Sequence, residues 1–207
     1  FYVRKTMEEG WSRDTLLNFM DNGLYEREGK ALTNFTRTLP ETTSDLAQEL
    51  TKDPYNFAFT GITQPYNEHI LKDALLANIS QFLLELGTGF AFMGRQVRFT
   101  FDEEHFIVDL VFYNRLLRCF VLFDLKIGEL KHQDIGQMQM YVHYYDRKVK
   151  LPEENPTIGI ILCKDKNNAV IEMTLPEDNT QIFASKYETV LPSKEELQKL
   201  LEEQLAE

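Results

Sequence analysis

Residues 106–128 read FIVDLVFYNRLLRCFVLFDLKIG. Two apolar runs rich in Val, Leu and Phe stand on either side of a short NRLL turn, a pattern that predicts an antiparallel β-hairpin. Each run carries one aspartate, Asp109 and Asp124, and the second carries Lys126 two residues later. Burying such charges costs on the order of several kcal/mol. Alternate residues of a strand share a face. Asp124 and Lys126 therefore lie together with Phe120 and Leu122, and Asp109 lies with Ile107 and Val111. Pairing through the turn brings the two aspartates to one end of the sheet. Close carboxylates repel unless a cation sits between them, and oxygen donors suit Mg²⁺ or Mn²⁺. A neighbouring lysine would then hold a water or stabilise a phosphate oxyanion. The same residues also fit a plain ion pair, Lys126 with Asp109 or Asp124.

The flanking sequence extends the hairpin into an α/β sandwich. FAFMGRQVRFTF (90–101) predicts a third antiparallel strand before a DEE turn. NEHILKDALLANISQFLLELG (67–87) predicts one long helix, with Asn67 as N-cap and Gly87 as C-cap. A helix over about 131–148 follows the hairpin, then a buried strand, TIGIILC (157–163). NNAVIEMTL reads as a short helix and QIFASKYETV as a further strand. Upstream, Ser12 caps a helix over about 13–26, and a short helix starts at Ser44. DPYNFAFTGITQPYN reads as a linker, with a boundary near 54–66. SKEELQKLLEEQLAE closes the chain as a helix capped by Ser193. Its Leu197, Leu200, Leu201 and Leu205 can pack on this chain or on a second copy, which leaves a homo-oligomer open.

Two more features bear on chemistry. Gln137 and Tyr141 are four residues apart in GQMQMYVHYY and share a helix face; a Gln–Tyr stripe facing the sheet can orient a water or a phosphate. Glu85 interrupts an apolar helix end in FLLELG, near the entry to the sheet, where it could complete an acidic cluster. Against each stands a bland alternative: an amphipathic helix packing its Met and Val residues, and an exposed helix-end charge.

The 207 residues carry a net charge of −11, which argues against broad, nonspecific nucleic-acid binding. Residues 90–150 net +1, so the acidity lies in the flanks. The two cysteines, Cys119 and Cys163, sit in apolar runs and read as buried thiols of a reducing cytoplasm. The four histidines lack zinc spacing, and GTGFAFMG lacks the Lys-Ser/Thr of a phosphate loop. No apolar run is long enough to cross a membrane. A first residue of Phe suggests a piece of a longer protein.

An acid on the first helix, Val108-Asp109, Asp124-x-Lys126 and Gln137-x-x-x-Tyr141, taken in order, resemble the PD-(D/E)XK nuclease superfamily. More closely, GKALTNFTRTLP, FLLELGTGFAFMGRQVRF, the hairpin text and ENPTIGIILCKDK resemble the bacterial YhcG family of nucleases, over nearly the whole chain. The resemblance implies a restriction-endonuclease-like core over 61–207. It makes residues 1–60 the tail of a helical, DNA-binding N-terminal region with its linker. It implies a Mg²⁺- or Mn²⁺-dependent nuclease acting on nucleic acid, DNA foremost, in repair, recombination or defence. Asp109, Asp124 and Glu85 would hold metal, Lys126 would be the catalytic lysine, Gln137 and Tyr141 would support the site, and Arg95 and Gln96 would touch nucleic acid. Two departures stand out: Val108 replaces the motif's proline, and Asp124 stands where relatives carry glutamate. The competing reading is a non-catalytic nucleic-acid-binding or protein-interaction module on the same fold.

Overall fold

A computed structural model describes residues 1–28, 51–63, 65–166, 168–176 and 179–189. The expected helices at Ser44 and Ser193 lie outside these residues. Three helices open the chain, α1 (Tyr2–Glu9), α2 (Arg13–Asp21) and α3 (Leu24–Arg27). Then come β1 (Tyr55–Asn56), a 3₁₀ turn (Ala58–Thr60), α4 (Glu68–Ala77) and α5 (Ile79–Leu86). The hairpins are β2 (Phe90–Phe101), β3 (Glu104–Asn114) and β4 (Cys119–Glu129). Helix α6 (His132–Tyr144) runs into a π turn (Tyr145–Val149), followed by β5 (Ile158–Asp165), α7 (Asn168–Thr174) and β6 (Ile182–Glu188).

The six strands form one mixed sheet in the order β1-β6-β5-β4-β3-β2. β2, β3 and β4 are antiparallel neighbours, whereas β4, β5, β6 and β1 are parallel. β4 is therefore the strand where the antiparallel half meets the parallel half. The β2–β3 turn puts Asp102 (φ +49°) and Glu103 (φ +65°) in the left-handed conformation that a tight two-residue hairpin turn requires.

Helices cover both faces. On one, Leu71, Leu75, Phe82 and Leu86 of α4 and α5 pack on Leu110, Phe112, Phe123 and Leu162. On the other, Met138, Tyr141 and Val142 of α6 pack on Val111, Leu122, Ile161 and Cys163. Each such apolar side chain, fully buried, contributes about 1.5–3 kcal/mol. Gly159 lets α6 approach β5 closely, since a Cβ there would meet Met138 at 2.6 Å. Cys119 and Cys163 are buried and free, and burial pushes both thiols up to about 12.

Helix starts fall where the sequence places them. Ser12 Oγ accepts from Thr15 N at 3.1 Å, and Asn67 Oδ1 accepts from Ile70 N at 3.0 Å. Helix interiors differ. The helix expected over 13–26 breaks at Gly23 (φ +58°). The helix expected over 67–87 breaks at Asn78, whose amide donates to Ala74 O at 2.9 Å and competes with the backbone ladder. The expected linker is also corrected. Tyr55 and Asn56 form an edge strand on β6, and Tyr55 and Phe57 are fully buried against Phe82, Phe123 and Tyr187. Three aromatic residues between the punctuating Pro54 and Gly61 gain more from burial than from exposure.

Candidate active site

The β3–β4 ladder runs from Asn114↔Cys119 to Leu110↔Phe123. Asp109 and Asp124 face each other one step beyond it, as the hairpin reading requires. There the strands part. The Leu125 N–H donates to Asp109 Oδ2 at 2.9 Å instead of to a backbone carbonyl of β3. A carboxylate has replaced a ladder bond, which holds Asp109 (6% exposed) in a fork between strands.

Lysines reach this fork from two directions. Lys72 of α4 places Nζ 2.6 Å from Asp109 Oδ1, and also lies 3.5 Å from Glu68 Oε2. Lys126 Nζ lies 2.9 Å from Asp124 Oδ2 and 3.8 Å from Asp134 Oδ1. The Lys126 ammonium approaches the buried Asp124 Oδ2 off the hydrogen-bond axis, so the contact is chiefly an ion pair. Burial first, then the facing Asp109, push the Asp124 carboxyl up to about 6, with Lys126 and Lys72 opposing. Burial acts to lower the Lys126 ammonium, but Asp124, Asp134 and Glu68 outweigh it and hold the group above its ordinary value.

Helix α6 closes the site over the same sheet face. Tyr141 Oη donates to Ile107 O at 2.9 Å and accepts from Gln137 Nε2 at 2.5 Å. Burial and Asp124 push the Tyr141 hydroxyl up to about 12, so it remains a donor at neutral pH. The structure thus brings Asp109, Asp124, Lys126, Gln137 and Tyr141 together.

Gln96 lies on the other flank of Asp109. It falls at the step between the Arg95↔Leu110 and Val97↔Val108 pairs, with φ +46°. A non-glycine residue in that conformation stores strain of the kind found at functional sites. Arg95 is exposed and lies 3.9 Å from Asp73.

Glu85 is not part of this cluster. It is 5% exposed at the end of α5, where Oε1 and Oε2 accept from Arg27 Nη1 and Nη2 at 2.5 and 3.1 Å. Oε1 also accepts from Asn56 N at 2.8 Å, and Lys52 Nζ donates to the Glu85 carbonyl. The glutamate joins the N-terminal helices to the β1 edge of the sheet. The helix acid on the site side is Glu68, one turn before Lys72 on α4. The sequence reading assigns neither of them a role. The available signal was the position of Lys72, next to the buried Leu71 on a helix whose apolar face meets the sheet.

Among the described residues no three acidic, histidine or cysteine side chains form a ready-made metal cluster. Mg²⁺ is commonly held by one or two carboxylates, with waters and substrate phosphate completing its shell. The facing pair fits that donor set, and Asp124 Oδ2, met only by the Lys126 ammonium at 2.9 Å, is the oxygen a bound cation would share.

A mixed sheet with helices on both faces, carrying D-x-K where the hairpin forks, defines a restriction-endonuclease-like domain of the PD-(D/E)XK type. The chain belongs to the YhcG PDDEXK nuclease domain family, whose model matches residues 48–203. It is 35% identical over 202 residues to "Putative nuclease YhcG" of Escherichia coli (strain K12), covering 95% of this chain and 53% of that protein. The chain therefore spans about half the length of that relative. Among solved structures it resembles a repair endonuclease from Pyrococcus abyssi (TM-score 0.38, 16% identity, 63% of this chain and 50% of that one). It also resembles EndoMS in an EndoMS–dsDNA2 complex (TM-score 0.40, 12% identity, 64% and 48%). No helix among the described residues is long and apolar enough to cross a membrane.

Proposed function

We propose that this domain is a Mg²⁺- or Mn²⁺-dependent nuclease that hydrolyses phosphodiester bonds of nucleic acid, DNA foremost. The observation that carries the reading is the facing pair Asp109 and Asp124 in the β3–β4 fork, with Lys126 on the same sheet face. Asp109 and Asp124 would hold the ion, which when bound supplies Lewis acidity toward phosphate and water. Leu125 N–H fixes Asp109 in place. The Lys126 ammonium, charged at neutral pH, orients the attacking water and stabilises the negative charge that builds on the phosphoryl oxygens. The water oxygen bonds to phosphorus and gives up a proton to solvent as the phosphorus–ester oxygen bond breaks, and the leaving oxygen takes up a proton from solvent. Tyr141 holds the Gln137 amide through its hydroxyl. Lys72 keeps Asp109 neutralised when no other cation is near.

A second reading, a non-catalytic module on this fold, draws on one observation. Both aspartates already have lysine partners. A Mn²⁺ titration followed by electron paramagnetic resonance separates the two. The nuclease reading expects binding that Asp109→Asn and Asp124→Asn each abolish; absence of binding by the wild type favours the module.

A further inference from the structure

A second pocket adjoins the active site. It has a volume of about 320 Å³ and lies between the end of β2, helix α6 and the π turn, at the lower end of the range typical of ligand pockets. Its walls include Phe101, Met140 and Tyr144, and the cationic or titratable His143, Arg147 and Lys148. No acidic side chain among the described residues lines it, in a chain of net charge −11. Asp146, the acid in the same turn, is committed elsewhere: Oδ1 accepts from Thr157 N at 2.8 Å and Oδ2 from Gln181 Nε2 at 2.7 Å. The π turn is therefore what presents Arg147 and Lys148 to solvent while its acid points inward.

The aromatic surface is equally specific. Phe101 is 56% exposed at the hairpin end, so its ring is free to meet a ligand. Tyr144 is stacked on Phe99 with centroids 3.9 Å apart, which fixes its ring. Phe99 also meets Tyr141 edge-on at 5.7 Å. Gly136 and Met140 in the pocket wall directly precede Gln137 and Tyr141 of the site. Aromatic faces beside an acid-free pair of cations are how proteins hold unpaired nucleotides: bases stack on rings and phosphates meet Lys or Arg.

We infer that this pocket is a subsite for one unpaired nucleotide of a single-stranded nucleic acid whose neighbouring phosphodiester lies at Asp109 and Asp124. Phe101 and Tyr144 hold the base, and Arg147 and Lys148 hold its phosphate. The inference rests on the nuclease reading for the identity of the neighbouring site. A base inside a duplex is stacked and paired, so the pocket selects single strands, ends or flaps.

The test is fluorescence anisotropy with labelled oligothymidine, oligouridine and a DNA duplex, in EDTA so that no strand is cut. Wild type should bind single strands more tightly than duplex. Arg147→Ala/Lys148→Ala should weaken single-strand binding roughly ten-fold and make its salt dependence shallower by about 0.7 per lost phosphate contact. Phe101→Ala should weaken it roughly five-fold or more with the salt dependence unchanged. All three side chains are exposed, and equal melting temperatures confirm that the variants fold. Arg115→Ala, at the opposite end of the β3–β4 hairpin, should bind as wild type does. Loss with oligothymidine, oligouridine or both supports the subsite and names the polymer. Wild-type affinity in either pocket variant, an equal loss in Arg115→Ala, duplex bound as tightly as single strand, or no binding by wild type overturns it. Competition by free thymidine monophosphate at oligonucleotide concentrations also overturns it, since the pocket would then serve a free nucleotide. Cleavage with Mn²⁺ is read separately, so failure of the nuclease reading shows there, and failure of the subsite shows here in EDTA.

Discussion

Replacing Asp124 by asparagine isolates the cost of holding its charge in the fork. The carboxyl is 3% exposed and faces Asp109, and its pKa rises from 3.8 to about 6. Each pKa unit corresponds to about 1.36 kcal/mol, so the charged form costs the metal-free fold about 3 kcal/mol at pH 8. The shift already includes the attraction of Lys126, which is one-fifth exposed and keeps Asp134 within reach. Asparagine keeps the shape and removes the charge. The sign follows from linkage. A folded pKa above the unfolded one means that the folded state binds more protons between pH 4 and 6, so wild-type stability falls as pH rises through that window. Urea denaturation in EDTA at pH 5 and pH 8 reads both effects. Asp124→Asn should be more stable than wild type at pH 8 by about 3 kcal/mol, or roughly 6–12 °C in melting temperature, and this contribution to the pH slope should disappear. Mn²⁺ should stabilise wild type and leave the variant unchanged. A variant less stable than wild type at pH 8 would refute the reasoning, because the Asp124–Lys126 pair would then be a net structural asset.

Lys72→Met removes the partner of Asp109. In EDTA it should lower stability by about 2–4 kcal/mol, while Mn²⁺ binds more tightly because no lysine competes for the carboxylate; melts with and without Mn²⁺ check both. Glu85→Gln should destabilise by about 3 kcal/mol, since Arg27 is left buried without a counter-ion, yet keep wild-type Mn²⁺ affinity in a direct titration. Tyr141→Phe loses the bonds to Ile107 and Gln137 and keeps the ring contact with Phe99, so urea melts should show a loss of about 1–2 kcal/mol and cleavage should slow.

The hairpin was legible because its signals are local. Turn residues, alternation and the D-x-K spacing fix both the register and the meeting of Asp109 with Asp124. The Gln137–Tyr141 pair was legible for the same reason, being one helical turn apart. The helix acid was not. Glu68 and Glu85 sit at opposite ends of what reads as one helix. Which of them faces the fork depends on the break at Asn78 and on Arg27, 58 residues from Glu85 in sequence. Lys72 was missed because an i, i+4 partner in Glu68 makes it look like ordinary surface charge. β1 was missed because two residues carry no periodicity; its strand character comes wholly from pairing with β6, more than 130 positions later. Contacts across such separations are set by packing rather than by local propensity.

The central claim, that the fork is a metal-dependent phosphodiesterase centre, is tested most directly by incubating labelled single- and double-stranded DNA and RNA with Mn²⁺ and this protein, beside its Lys126→Ala variant. The account predicts cleavage by wild type that EDTA stops, and none by the variant, which still binds Mn²⁺. Cleavage by the variant at the wild-type rate would contradict it.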